Sequence, residues 1–339
     1  MEPEIKELEG RLSSYVGVKH TISCSSGTDA LLMPLMAYGV GPGDAIFTTP
    51  FTFIATAEVI QLLVASPVFV DIDPEALEAA IAFLGENPKN ASLNPRGVIP
   101  VDLFGQPADY DRINAIAQKH GLFVLEDAAQ SFRATYKGKR AGALAEVAAT
   151  SFFPAKPLGY YGDGGAIFTD NDDLAQKLHS IRTHGQGSHK YESARIGING
   201  RLDTLQAAII LCKLEIFDGE MNARQKVARR YNEGLKDLVT GPCLGPDCTS
   251  AWAQYSVLSK EKKALTQRLA DAGVPTAVYY SVPLHLQPAF ANLGYRSGDF
   301  PVSELAAQRI FSLPMHPYLS ESKKDQFCPA SPWQGITGY

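Results

Sequence analysis

The sequence predicts an α/β fold, a mostly parallel central sheet with helices on both faces, followed by a small α+β domain. Three observations lead there. Short apolar runs alternate with helical periodicity up to about Lys236, and strands apolar throughout are those buried on both faces. A long helical stretch, Phe217–Leu235, leads away from that pattern. Beyond Gly241 the rhythm becomes strand, helix, strand. The expected division is therefore residues 1–236 as the large domain and 237–339 as the small one. A chain of 339 residues, 45% hydrophobic, can bury cores in both.

Taken in order, residues 2–15 read as an amphipathic helix with Ile5, Leu8, Leu12 and Tyr15 on one face. Thr21–Cys24 is a short apolar strand. Gly27–Tyr38 is a helix closed by Gly39 and Pro42. Ala45–Thr48 and Pro67–Ile72 are strands around a helix at Ile54–Leu63, and a further helix is expected at Glu75–Leu84. Gly97–Leu103, Leu122–Glu126, Ala148–Phe153 and Gly165–Thr169 complete the strands, with helices at Tyr110–Lys119 and Asp172–Arg182. A helix over Leu202–Leu211 precedes the long one. Ala253–Leu258, Ala264–Ala272 and Thr276–Tyr280 form the later strand, helix and strand. After Phe327 two prolines and a glycine disfavour a final helix.

Composition narrows the function classes. The formal net charge is −5 with both signs interspersed, so no basic nucleic-acid face is expected. No apolar stretch reaches the roughly 18–20 residues of a membrane span. Met1–Glu9 is acidic and amphipathic, unlike a signal peptide. Cys24, Cys212, Cys243, Cys248 and Cys328 are odd in number and scattered, which fits a reducing, cytoplasmic setting. Cys243 and Cys248 lack two further ligands nearby, so no metal is expected.

Three segments carry potential chemistry. Ser25-Ser26-Gly27-Thr28 lies between a strand and a helix, where free N–H groups and the helix dipole suit a phosphate. An ordinary N-cap would look the same. Asp127, in Leu125-Glu126-Asp127-Ala128-Ala129-Gln130, ends an apolar strand, the end that faces the ligand crevice in open α/β sheets. A solvated or capping acid is the alternative. Lys156 follows another strand, after Ser151, and precedes Gly162-Asp163-Gly164-Gly165. Partial desolvation there would lower its pKa and free the amine as a nucleophile. No G-x-G-x-x-G follows the first strand, which argues against a dinucleotide-binding dehydrogenase.

The order and spacing of these segments resemble those of fold-type I pyridoxal-phosphate enzymes. More narrowly, SCSSGTDAL, TTPFTFIATAE, VFVDIDP, VLEDAAQSF, TSFFPAKPLGYYGDGGAIFT, RTHGQ, GRLDTLQAA and SLPMHPYL resemble the DegT/DnrJ/EryC1/StrS family of sugar aminotransferases, from Pro3 to about Leu319. The resemblance implies pyridoxal 5′-phosphate, with Lys156 as its covalent anchor and Asp127 on its ring nitrogen. Gln130 would meet the ring hydroxyl. Gly27, Thr28 and Ser151 would hold the phosphate, and Phe53 would stack on the ring. Asn199 and Arg201 match positions that reach across a homodimer interface. His184, Tyr280, His285, His316 and Tyr318 lie in segments that match loops near the sugar. For a sugar carboxylate, bidentate geometry favours an arginine, Arg201 or Arg195. The implied partners are a UDP-linked keto sugar, with a dTDP sugar as the alternative, and L-glutamate with its product 2-oxoglutarate. Related dehydratases usually carry histidine at the lysine position, so Lys156 favours transamination. Family members usually begin earlier than Met1, have a longer stretch after Asp71-Ile72-Asp73-Pro74, and end in an amphipathic helix.

Overall fold

The structure, a computed structural model, describes residues 3–72, 76–82, 84, 92–189, 191–323 and 333. The chain runs α1 (Pro3–Val16), β1 (His20–Cys24), α2 (Gly27–Ala37), β2 (Asp44–Thr48), α3 (Ala55–Leu62), β3 (Ser66–Phe69), α4 (Ala76–Ala82), β4 (Asn94–Ile99), α5 (Tyr110–His120) and β5 (Phe123–Asp127). A hairpin follows, β6 (Thr135–Tyr136) and β7 (Lys139–Arg140), then β8 (Val147–Ser151), β9 (Gly165–Thr169), α6 (Asp172–Arg182) and α7 (Thr204–Gly234). The last elements are β10 (Tyr255–Leu258), α8 (Lys262–Asp271), α9 (Pro301–Arg309) and β11 (Ile310–Leu313), with 3₁₀ turns at Leu103–Gly105, Leu284–Leu286 and Pro288–Leu293.

Seven strands form one sheet in the order β1-β9-β8-β5-β4-β2-β3. Six run in the same direction, β1 among them, while β9 runs antiparallel to both its neighbours, β1 and β8. The strands are apolar on both sides because both sides are covered. Phe47, Ala148, Phe168 and their neighbours pack beneath α1, α5 and α7. Their sequence neighbours Ile46, Val147, Ala149 and Ile167 pack beneath α2, α3 and α6. The two-residue period of a strand thus serves two separate cores.

Local signals set the helix ends. Ser26 caps α2, its hydroxyl accepting the Asp29 N–H at 3.0 Å. Asn171 caps α6 in the same way through Leu174 N–H, at 3.0 Å. Gly121 ends α5 at φ 65°, a left-handed conformation that glycine adopts without penalty.

Three expectations are corrected. The separate helices over Leu202–Leu211 and Phe217–Leu235 are one, α7. Gly219 alone costs about 1 kcal/mol, and burial of Leu214, Phe217 and Met221 outweighs it. Thr276–Tyr280 is not a strand; only Ala277 bridges, to Ser312. The true partner of β10 is β11, a short apolar run whose periodicity is too brief to read. Finally, β4 stops at Ile99 rather than Leu103, because Pro100 has no N–H to donate and the chain turns through Phe104 (φ 60°) and Gly105 (φ 108°). The expected helix at Glu75–Leu84 and the segment after Phe327 fall partly or wholly outside the described residues. Among the described residues, no helix is long and apolar enough to cross a membrane.

Around the end of α7 the packing changes partners. Val227, Ala228, Tyr231 and Leu235 join β10, α8 and β11 in a separate core with Trp252, Phe311 and Trp333.

Candidate active site

The carboxyl ends of β5 and β8 and the end of β1 bring the three chemical segments together. Cys24 and Ser151 both pair with Gly165 of β9, one on each side. A side chain at Gly165 would lie 2.5 Å from Ser26 O and 2.7 Å from Thr150 O, so only glycine lets the two segments close. Gly27 then approaches Ser151 so nearly that an added Cβ would meet the Ser151 Cβ at 2.6 Å. The Ser151 hydroxyl therefore sits at the N-terminus of α2, where first-turn N–H groups, those of Gly27 and Thr28 among them, have no intrahelical acceptor. Hydroxyl, N–H groups and dipole make an anion cradle. Gly27→Ala is expected to cost about 1–3 kcal/mol by overpacking, read as a lower denaturation midpoint of the apoprotein. An unchanged midpoint would contradict the close approach.

Asp127 ends β5 and is 5% exposed. Its Oδ2 accepts the Thr56 hydroxyl at 2.8 Å, and its Oδ1 accepts the Ala129 N–H at 3.2 Å. Burial raises its pKa; the Thr56 bond, the nearby Lys156 charge and the Ala129 bond pull it back. Lys156 is half-buried, and its N–H donates to Phe153 O at 2.8 Å. Burial lowers its pKa, and Asp127 opposes that shift. An amine and a carboxylate thus share one desolvated region, the amine more readily neutral than a surface lysine.

Gln130 lies one turn beyond Asp127. Its Oε1 accepts the Phe104 N–H at 2.7 Å, and its Nε2 donates to the Tyr280 hydroxyl at 3.3 Å. Burial pushes the Tyr280 hydroxyl up to about 12. Its ring centroid lies 6.3 Å from that of Phe53 and 6.4 Å from that of Phe51. Phe53 is 52% exposed, an aromatic face open to a ligand beside the buried polar groups. Tyr280 therefore joins the Gln130 cluster directly.

The remaining candidates are dispersed. Gly200 O accepts the Ser25 N–H at 3.0 Å, which sets the exposed Asn199 and Arg201 beside the α2 turn. Arg195 instead lines a surface depression with Met36, Leu63 and Lys177. His184 is exposed at φ 59°, held by its N–H to Ile198 O. His285 is buried, with Nε2 3.1 Å from Glu304 Oε1 and its ring against Phe300. That placement turns its side chain to the interior. Tyr318 donates to Glu220 on α7, and His316 Nδ1 accepts the Tyr318 N–H. These two lie along exposed α7, not with Asp127 and Gln130. Thr56 escaped sequence reasoning, although it lies in the TTPFTFIATAE segment; a threonine inside a helix gives no sign of a partner 71 residues away. Among the described residues no cluster of acids, histidines and cysteines could hold a metal.

Known proteins share this fold. The profile of the DegT/DnrJ/EryC1/StrS aminotransferase family matches residues 1–330. UDP-2-acetamido-2-deoxy-3-oxo-D-glucuronate aminotransferase of Pseudomonas aeruginosa is 51% identical over 331 residues, 97% of this chain and 90% of that one. The crystal structure of a DegT/DnrJ/EryC1/StrS aminotransferase from Brucella abortus superposes with TM-score 0.94 at 50% identity, covering 100% of this chain and 91% of the other. Streptomyces venezuelae DesV, in complex with a ketimine intermediate, superposes with TM-score 0.92 at 34% identity, again covering 100% and 91%. With its sheet, its lysine and its strand-end aspartate in place, the chain belongs to the DegT/DnrJ/EryC1/StrS family of sugar aminotransferases.

Proposed function

We propose that this chain transfers an amino group from L-glutamate to a UDP-linked keto sugar of the 3-oxo-glucuronate class, as a cytoplasmic homodimer. The observation that carries the reading is the meeting of Lys156 and Asp127 in one desolvated region beside the anion cradle. The sugar class rests on the relative that is 51% identical. In domain terms, residues 1–236 would carry the cofactor site, and the small domain of residues 237–339 would bring Tyr280 to it.

Pyridoxal 5′-phosphate is the cofactor, and the residues present fit it. The Ser151 hydroxyl and the N–H groups of Gly27 and Thr28 would take its phosphate, and Phe53 offers a ring face. When bound, it supplies an electron sink for the electron pair left as a carbon loses its proton. Asp127 would hold the ring nitrogen in its protonated form. Gln130, fixed by Phe104 N–H, would be set at the ring hydroxyl. Nζ of Lys156 would anchor the aldehyde carbon and, once released, carry the proton between the donor carbon and the cofactor. Positioned acid–base help of this kind is worth about 10²–10⁴-fold. Of the two arginines, Arg201 is the better partner for a sugar carboxylate, because Gly200 ties its loop to the α2 turn. Asn199 beside it would face the neighbouring subunit's cofactor. Tyr280 would contact the sugar from the Gln130 side, and His316 and Tyr318 would act from farther out, while His285, buried against Glu304 and Phe300, would hold its loop rather than touch the sugar.

The reading is tested by supplying L-glutamate with UDP- and dTDP-keto sugars and reading products by mass spectrometry. 2-Oxoglutarate and an amino sugar from the UDP-3-oxo-glucuronate substrate are expected. Neither product from any sugar would overturn the activity; turnover of dTDP sugars alone would overturn the substrate class.

A further inference from the structure

Behind Asp127 lies a second acidic group that the transamination roles leave unused. Glu126 precedes Asp127 on β5, so its side chain points to the opposite face of the sheet. Asp102 follows β4, and its N–H donates to Asp127 O at 3.1 Å. Both carboxyls are 0% exposed. Glu126 accepts the Gly142 N–H at 2.6 Å on Oε1 and the Leu144 N–H at 2.9 Å on Oε2. Asp102 Oδ1 accepts the Ala108 N–H at 3.0 Å and the Tyr110 hydroxyl at 2.9 Å, and Oδ2 takes the Ser131 hydroxyl at 2.7 Å. The two carboxyls also lie within hydrogen-bonding reach of each other.

Two carboxylates have no donor between them, so a hydrogen bond across this gap requires a proton. The groups facing the pair are Asp127, Tyr110 and Cys248, all neutral or acidic. Lys156 faces Asp127. Like charges this close in a buried site do not both ionise. Asp102 also bonds outward in two directions, to Ala108 in the loop that carries Phe104, and to Ser131 in the turn that carries Gln130. Phe104 N–H in turn fixes Gln130.

We propose that Asp102 and Glu126 hold one proton between them and act as a single positioning unit that fixes the Asp127–Ser131 turn. It rests on the cofactor roles given above for Asp127 and Gln130. Asp102 and Glu126 touch neither cofactor nor substrate; they set where Gln130 and Asp127 stand.

Burial pushes Asp102 up to about 7 and Glu126 up as well, the latter further through Asp102 itself. The unfolded values are about 3.9 and about 4.3. Folded values raised in this way mean that the native state holds the extra proton. Its stabilisation is complete below pH about 4 and is lost as pH rises through about 7.

The test uses apoprotein and Asp102→Asn. The amide introduced by that change keeps an oxygen for Ala108 and Tyr110. Its nitrogen, in place of Oδ2, has two N–H groups, one for Glu126 with no proton to lose and one for Ser131 Oγ, which turns from donor to acceptor and keeps the link. Glu126→Gln is a poorer mimic, since its amide nitrogen would oppose the Gly142 or Leu144 N–H. Thermal melts across pH about 4 to about 9 should show Asp102→Asn matching wild type at the acid end and melting a few degrees above it at the alkaline end. A gap between the two that is constant with pH overturns the shared proton. For positioning, Ser131→Ala and Asp102→Ala should raise the Kd for pyridoxal phosphate about tenfold, with Asp102→Asn near wild type, read by titrating apoprotein absorbance. Wild-type affinity in both alanine variants overturns the positioning role. If wild type itself binds no pyridoxal phosphate, the cofactor reading fails and the positioning role falls with it, while the melts still decide the shared proton.

Discussion

Lys156→Ala is expected to lower kcat/KM for transamination by about 10⁴-fold or more, ~5 kcal/mol or above. The variant loses both the anchoring amine and the group that moves the proton, and among the described residues Lys156 is the lysine whose charge acts on Asp127. The apoprotein gives an independent check through Lys156→Met. Burial depresses the folded pKa of Lys156 below its unfolded value of about 10.4. A base depressed in this way is fully tolerated above the unfolded value and increasingly costly as pH falls towards the folded one. Lys156→Met, which cannot charge, should therefore equal wild type in strong alkali and become the more stable protein as pH falls, the gap then levelling off. Melts at several pH values measure it. A Lys156→Ala enzyme with substantial turnover would end the catalytic assignment; a flat stability difference would show that the amine is not desolvated.

Asp127→Asn carries the second largest effect, a fall in kcat of about 10³-fold, ~4 kcal/mol, at nearly unchanged cofactor affinity. The amide is isosteric: its oxygen can keep the Ala129 N–H, and its nitrogen can donate to the Thr56 hydroxyl, which then accepts. What disappears is the negative charge that would keep the ring nitrogen protonated and the ring able to accept electrons. Single-turnover rates with L-glutamate separate the two quantities. A variant that loses affinity but keeps its rate would make Asp127 a binding residue only. A less severe companion, Thr56→Val, leaves the charge but removes one bond from the buried carboxylate. Its folded pKa should then rise further, so the variant's alkaline rate plateau should begin at higher pH than in wild type.

Much of this site was legible because its signals are local. Ser26-Gly27 announces itself as a turn opening a helix, and Ser151 with Lys156 stands at a strand end before glycines. Asp127 closes an apolar run. The rest depends on sheet order, which no local window contains. Thr56 meets Asp127 only because α3 packs beside the β5 end, and Asp102 meets Glu126 only because β4 and β5 are neighbours. Tyr280 matched a sugar-loop segment in sequence, yet its hydroxyl is engaged by Gln130. His285 matched a similar segment and is turned to Glu304. In both cases the segment was found and the direction of the side chain was not. The same limit applies to β11, whose four residues acquire a strand identity only from β10.

The antiparallel strand β9 has a consequence for assembly. The two walls of the anion cradle, Ser26-Gly27 and Ser151, come from distant stretches of chain and meet only where Gly165 pairs with both Cys24 and Ser151. Closing a loop that long is slow compared with forming any one helix. During synthesis, Lys156 emerges before the last strand of its own cradle and long before α7. A half-made chain therefore displays the amine without the seat, and a phosphorylated aldehyde has nowhere to dwell beside it. Cofactor capture becomes a report that the sheet is complete, so the fraction of chains that can be loaded counts the fraction correctly folded.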